Sequence, residues 1–298
     1  MDLVDELKAF VATAQTGSFT AAADQLGVSN RLTSKYVAAL EDRLGVRLLQ
    51  RTTRRVGLTP AGQDLLARAP AMLDDLDDLL AEVSEGSRGL SGVIRISAPA
   101  TFGEVYVVDM LARFGAAHPG LTLDLRLSDR YVDLASEGID VAFRIGKTDM
   151  LSLKVRKLGS FRSMVVASPE YIDSQGMPET PAELADHACI VDTNRRAAHR
   201  WVFRNGTEEA IAHVQGRFHV NSARAAAELA VRGMGIAYAP RFALAAALDS
   251  GALVPLLTDH DGETGPIAAV YLEGRALPRK VRALIEFAAE DIRTADIL

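Results

Sequence analysis

The densest chemistry in this chain lies between Arg31 and Arg55. Seven cationic side chains (Arg31, Lys35, Arg43, Arg47, Arg51, Arg54 and Arg55) stand there against two acids, Glu41 and Asp42, in a protein of net charge −6. A local positive field inside an acidic chain suits polyanionic phosphate. Asn30, Arg31, Thr33, Ser34, Lys35 and Tyr36 supply amide, hydroxyl and cationic groups that can hydrogen-bond base edges or phosphates. Ser18, Thr20 and Ser29 lie just upstream, and Arg51, Thr52, Thr53, Arg54 and Arg55 form a second polar run downstream. These fourteen residues are the candidate contacts to double-stranded DNA.

Two helices must position them. Ser18 is a suitable N-cap for helical periodicity from Phe19 to Leu26. Gly27 breaks that helix, and Ser29 caps a second one whose inward face is expected to be Leu32, Val37, Leu40 and Leu44. A helix of this kind fits the major groove. A short helix pair with a glycine turn also suits any helical hairpin; the basic run that follows favours the nucleic-acid reading.

The whole stretch resembles the LysR-type transcriptional regulators of bacteria. The resemblance runs through Phe10, Gly17-Ser18-Phe19-Thr20, Ala22-Ala23, Leu26, Ser29, Ser34, Leu40-Glu41, Leu44-Gly45, Leu48, Arg51, Arg54, Leu58-Thr59 and Ala61-Gly62. It continues more loosely to near the C-terminus. Where the family often has Gln after the matched Ser29, this chain has Asn30, Arg31 and Leu32, so a borrowed operator preference does not follow. The resemblance implies an α + α/β architecture: a winged helix-turn-helix over 1–58, a linker and dimerisation helix over 59–88, and a two-subdomain effector-binding domain of periplasmic-binding-protein type over 89–298. It places subdomain I at 89–163 and 266–298, and subdomain II at 164–265. It also implies a homotetramer, promoter DNA and a small-molecule effector as partners, and RNA polymerase as a further one.

Thr59-Pro60 opens the linker well, with a hydroxyl at the N-cap and proline at the first helical position. Leu65, Ala69, Met72, Leu76, Leu79 and Val83 then recur at heptad spacing. The stripe suits a seam between two chains or a helix packed on its own domain; its narrowness favours the seam. Pro70 demands a kink. From Gly92 the pattern changes to alternating strands and helices: strands at 92–97, 121–128, 140–146 and 267–274, a helix near 131–137, an extended crossover at 155–168, a helix, turn and strand over 227–240, and a closing helix at 278–293. Alternation predicts an α/β sheet with largely parallel pairing.

Such sheets bind ligands beyond the carboxyl ends of their strands. Ala100, Thr101 and Phe102 follow the first strand, Ser128 ends the second, and Arg144 and Ile145 end the third. Asn221 precedes an alanine-rich helix, and Trp201, the single tryptophan, lies among Arg195, Arg196, Arg200 and Arg204. Resemblance to the family makes these eight the candidate effector residues, with Arg144 able to grip an organic carboxylate. Each also has a structural use, as a cap, ion pair or core anchor.

Catalysis finds no foothold. Gly233-Met234-Gly235 lacks the third glycine of a dinucleotide loop and sits between a helix and a strand. The six histidines show no metalloprotease spacing, no nucleophile elbow is present, and the one cysteine, Cys189, cannot build a metal cluster. No cofactor, metal or catalytic residue is expected. The acidic N-terminus is unlike a signal peptide and no apolar run reaches a membrane span, so a cytoplasmic location is expected. Residues 92–298 alone would also suit a solute-binding protein without DNA function, and a regulator without a dedicated effector is the other alternative.

Overall fold

A computed structural model describes residues 2–51, 56–84, 89–130, 133–135, 137–146, 153–272 and 277–295. The N-terminal unit is α1 (Leu3–Thr16), α2 (Phe19–Leu26), α3 (Asn30–Leu44) and the antiparallel wing strands β1 (Leu49–Arg51) and β2 (Val56–Leu58). Ser18 Oγ caps α2 by accepting from Ala21 N–H, and Ser29 Oγ caps α3 by accepting from Leu32 N–H at 3.2 Å. Gly27 closes α2 at φ +67°, a left-handed conformation that glycine adopts without a Cβ penalty.

The inward face of α3 differs from the expected one. Val37 and Leu40 are buried, but Leu32 is half-buried and Leu44 exposed; Thr33 and Glu41 take the inward places. Thr33 satisfies its hydroxyl within the helix, donating to Ser29 O at 3.2 Å. Glu41 accepts from Leu48 N–H at 2.9 Å, Leu49 N–H at 3.1 Å and Arg47 Nη1 at 2.6 Å, so one carboxylate fixes the turn into the wing.

The linker is two helices, α4 (Pro60–Leu66) and α5 (Ala69–Ser84), and Pro70 sits in the first turn of the second. Proline is tolerated there because first-turn N–H groups have no helical partner. Ala69 and Leu73 are buried in the DNA-binding unit's core beside Phe10, Val37 and Leu40, and Leu65 packs against it. Met72, Leu79 and Leu80 are exposed, and Leu76 is half-buried.

The C-terminal unit starts with β3 (Ser91–Ala98), then α6 (Ala100–Phe102), a π-helical turn at Gly103–Val107, and α7 (Val108–Ala117). β4 (Gly120–Leu127), β5 (Val141–Ile145) and the long β6 (Leu153–Ala167) follow. Around the expected helix near 131–137 the structure has turns at 134–135 and 137–138, and Tyr131, Val132 and Ser136 lie outside the described residues. Next come α8 (Pro169–Gln175), β7 (Cys189–Asp192), the hairpin β8 (Arg200–Asn205) and β9 (Glu208–His213), and β10 (Phe218–Val220). The chain continues through α9 (Ala223–Val231), β11 (Ile236–Pro240), α10 (Arg241–Asp249) and β12 (Val254–Leu256) to β13 (Thr264–Leu272) and α11 (Arg279–Thr294).

The sheet order is β10-β7-β11-β6-β13-β5-β3-β4, with β12 also on β6. Pairing is mixed rather than largely parallel. β3 lies parallel to β4 and β5, and β7 parallel to β10 and β11, but every described pairing of β6 and β13 is antiparallel. Those two strands carry the chain between halves, so they run against the local βα direction. β6 pairs with β13 through Arg162 and with β11 from Ser163 onward. Each half has its own core: Ile94, Ile96, Phe114, Phe143 and Leu284 in the first, and in the second Trp201, Phe203 and Tyr238 on one sheet face with Ala226, Ala230, Ala237 and Ala239 on the other.

Glu41 generates a stability prediction. Burial acts to raise its pKa, but the bonds from Leu48, Leu49 and Arg47 prevail and hold it below the ordinary 4.5. Replacing it with Ala strands two buried N–H groups and is expected to cost about 2–4 kcal/mol. A depressed carboxylate stabilises fully above its unfolded value and loses that contribution as pH falls through the folded one. The stability gap between parent and Glu41→Ala should therefore be full at pH 7 and narrow below pH 4.5 in thermal denaturation. A gap that stays constant into acid would contradict this account.

Candidate DNA interface and effector cleft

On the DNA-binding unit, Asn30, Arg31 and Lys35 are exposed on α3, and Asn30 Nδ2 donates to Thr20 Oγ1 at 2.9 Å, which couples the two helices. Ser34 and Tyr36 are half-buried, and Tyr36 packs against the core. Thr33 is fully buried and is withdrawn from the candidate contacts, because its hydroxyl is committed to Ser29 O. Ser18 and Ser29 hydroxyls serve as helix caps. Two of the seven cations are also committed. Arg43 holds buried Glu6 through paired bonds of 3.0 and 3.1 Å, and Arg47 holds Glu41. Among the described side chains of the run, Arg31 and Lys35 are the cations left exposed without an acid partner. Thr52, Thr53, Arg54 and Arg55, and the Arg51 side chain, lie outside the described residues.

In the C-terminal unit a cleft of about 840 Å³ opens between the two halves of the sheet. One wall is made by the carboxyl ends of β3, β4 and β5, which bring together Thr101, Phe102, Ser128, Arg144 and Ile145. Arg144 is half-buried and donates to Phe143 O at 2.9 Å and Ser97 Oγ at 3.3 Å. Ala100 adjoins this wall, its N–H donating to Asp129 Oδ1 at 3.1 Å. The other wall comes from the end of β7 and the starts of α9 and α10: Asp192, Asn194, Arg195, Arg196, Ala223 and Phe242.

The walls already touch. Thr101 Oγ1 meets Ser222 Oγ at 3.3 Å, Glu104 meets Arg224 at 3.2 Å, and the Phe102 and Phe242 rings stand edge-on with centroids 5.3 Å apart. Lining charge is mixed. Among the described residues, Arg130, Arg144, Arg195 and Arg196 accompany Asp129, Asp192 and Glu263. Arg195 is committed to Glu263 and stacks over the Tyr238 ring at 4.1 Å.

Two candidate effector residues, Trp201 and Asn221, are not among those that line the cleft. Trp201 is 1% exposed in the second half's core, 5.1 Å from the Tyr238 ring, with its indole N–H donating to Ala198 O. The β8–β9 hairpin folds it inward, where a large aromatic loses the most contact with water. Asn221 is exposed and does not itself line the cleft, but it adjoins it: its carbonyl accepts from the lining residue Asn194, and the next residue, Ser222, meets Thr101. Asp129, Arg130, Asp192, Asn194 and Phe242 line the cleft without having been singled out in the sequence. Arg195 and Arg196, noted there only as neighbours of Trp201, line it too, whereas Arg200 and Arg204 lie with Glu209 on the hairpin.

Residues 4–63 match the family described as bacterial regulatory helix-turn-helix protein, lysR family, and residues 87–293 match the LysR substrate binding domain. The chain belongs to the LysR-type family of transcriptional regulators. It is 36% identical to the HTH-type transcriptional regulator PtxR of Pseudomonas aeruginosa, over 97% of this chain and 93% of that protein. It is 35% identical to an HTH-type regulator of Haemophilus influenzae, over 95% and 99%. The solved structure of CrgA, a LysR-type transcriptional regulator from Neisseria meningitidis, superimposes with a TM-score of 0.63 at 30% identity, covering 96% of this chain and 98% of that one. The helix-turn-helix unit is thus the DNA-binding part of this LysR-type regulator, and the cleft lies in its effector-binding domain. Among the described residues no helix is long and apolar enough to cross a membrane.

Proposed function

We propose that this LysR-type regulator, acting in the cytoplasm and without catalytic activity, binds promoter DNA through α3 and the wing under control of a small organic carboxylate held in the cleft. One observation carries the effector reading: the ends of three adjacent strands place Thr101, Ser128 and Arg144 on a single wall. A guanidinium beside two hydroxyls matches a carboxylate's geometry. A carboxylate should raise the melting temperature of the full chain by mass action, equivalent to about 2.7 kcal/mol at a hundredfold excess over Kd. Arg144→Ala should abolish the shift while the protein stays folded, and Arg144→Lys should restore only part of it. A shift that survives Arg144→Ala would refute this placement.

On the DNA side, Lys35 is assigned to phosphate and Asn30 to a base edge. Lys35→Ala should weaken binding to operator and random DNA alike and lower the salt slope by about one. Asn30→Ala should cost about 1–3 kcal/mol at one base position and relax choice there. Titrations in which both variants match the parent on both DNAs would overturn the interface.

Assembly is assigned to α5. Its exposed Met72, Leu79 and Leu80, with half-buried Leu76, form the apolar stripe left after Ala69 and Leu73 are packed inward. A second copy covers this stripe, giving the dimer from which a tetramer is built. Leu79→Asp would place a charge in that seam, and light scattering should then show smaller particles with the effector domain intact. An unchanged mass would rule out the seam.

A further inference from the structure

The far wall of the cleft carries a carboxylate that the reading above does not use. Asp192 ends β7 and lines the cleft although it is only 6% exposed. Among the described residues its side chain has one hydrogen-bond partner, Asn194 N–H, 3.0 Å from Oδ1. Arg195 makes its ion pair with Glu263 and stacks over the Tyr238 ring, and acts on Asp192 through its nearby charge rather than a hydrogen bond. A carboxylate offers about four acceptor positions, so this one, which lines the cleft, keeps acceptor capacity beyond the Asn194 bond. Burial is the main influence on Asp192 and raises its pKa above the ordinary carboxylate value; the Asn194 N–H bond and the nearby Arg195 charge oppose it without prevailing, and Asp129 on the opposite wall adds a smaller push upward. A ligand that brought only negative charge would meet this acid unfavourably. One that brought a donor would satisfy an acceptor that is itself largely buried, where such a bond counts most.

We propose that Asp192 sets effector specificity: the effector carries, beside its carboxylate, a hydrogen-bond donor that Asp192 receives, as in a hydroxy acid or an amino acid. The inference rests on the carboxylate reading of the same cleft and extends it. Arg144 belongs to the first wall and Asp192 to the second, so one bifunctional molecule would join the two halves where Thr101 and Ser222 already meet. The apolar lining of Phe102, Ile145, Phe161 and Phe242 suits a hydrocarbon or aromatic remainder.

Calorimetry on the full chain at pH 7 with 3-phenylpropionate, both enantiomers of 3-phenyllactate, and both enantiomers of phenylalanine tests this. These probes differ only in the hydrogen, hydroxyl or ammonium at C2. At least one donor-bearing acid should bind about tenfold or more tightly than 3-phenylpropionate. Preference for lactate identifies a neutral donor, and preference for phenylalanine a cationic one. Asp192→Asn keeps an oxygen for Asn194 N–H, so the turn and the melting temperature should survive while the preference falls to within twofold. Equal binding of all probes to the parent, or a preference that persists in Asp192→Asn, overturns the assignment. If those equal affinities are lost in Arg144→Ala, the carboxylate reading stands and only the donor subsite falls. No binding by any probe overturns both.

Discussion

The cleft exists because the chain passes between its two half-sheets along two segments that lie side by side. β6 runs through Arg162 and Ser163 without a break, and the return at 262–266 is laid against it. Ser163 N–H donates to Glu263 O at 2.8 Å, and Thr264 and Gly265 stand opposite Arg162 and Phe161 in register. Gly262 permits this approach: a Cβ there would lie 2.1 Å from Ser163 O, a distance no side chain tolerates. The parallel strands of each half then end facing the gap, which is why Thr101, Ser128 and Arg144 share one wall and Asp192 the other.

What the sequence reveals follows from how local the physics is. Ser18, Ser29 and Thr59-Pro60 are readable because a cap forms within three residues of itself. The first wall is readable because three strong strands end in small polar residues or arginine. The second wall is not. β7 is only four residues long, and Asp192 reaches the cleft because β7 is pinned between β10 and β11, strands that lie 26 and more residues further along the chain. Trp201 misleads for the same reason: its basic neighbours suggest a binding face, but hairpin pairing with Ala212 turns the indole into the core.

Charge counting has a similar limit. A run of seven cations reads as one field, yet Arg43 and Arg47 are drawn back by Glu6 and Glu41, the first of which lies outside the run. Both acids are nearly inaccessible, so these pairs hold α1, α3 and the wing in place rather than offering charge to solvent. Buried acids that orient a DNA-binding unit raise local rigidity at the expense of its outward field. Among the described side chains of the run, the charge left facing solvent is that of Arg31 and Lys35 on α3.

Coupling between cleft and promoter is bounded by the same structure. Contact across the cleft consists of a hydroxyl pair, an exposed ion pair and an edge-on ring pair. Hydrogen bonds of this kind contribute about 1 kcal/mol, exposed ion pairs about 0–1, and ring pairs about 0.5–1.5. The contacts across the cleft are therefore worth only about 1.5–3.5 kcal/mol, before the apolar area they cover. An effector changes the balance only by its difference in affinity for the two arrangements, and a hundredfold difference is about 2.7 kcal/mol. That matches the contacts it must reinforce or replace. A ligand held by one wall alone has nearly equal affinity for both arrangements and shifts neither, however tightly it binds. An effector that is to shift this balance therefore has to touch both walls, each of which carries charge of both signs.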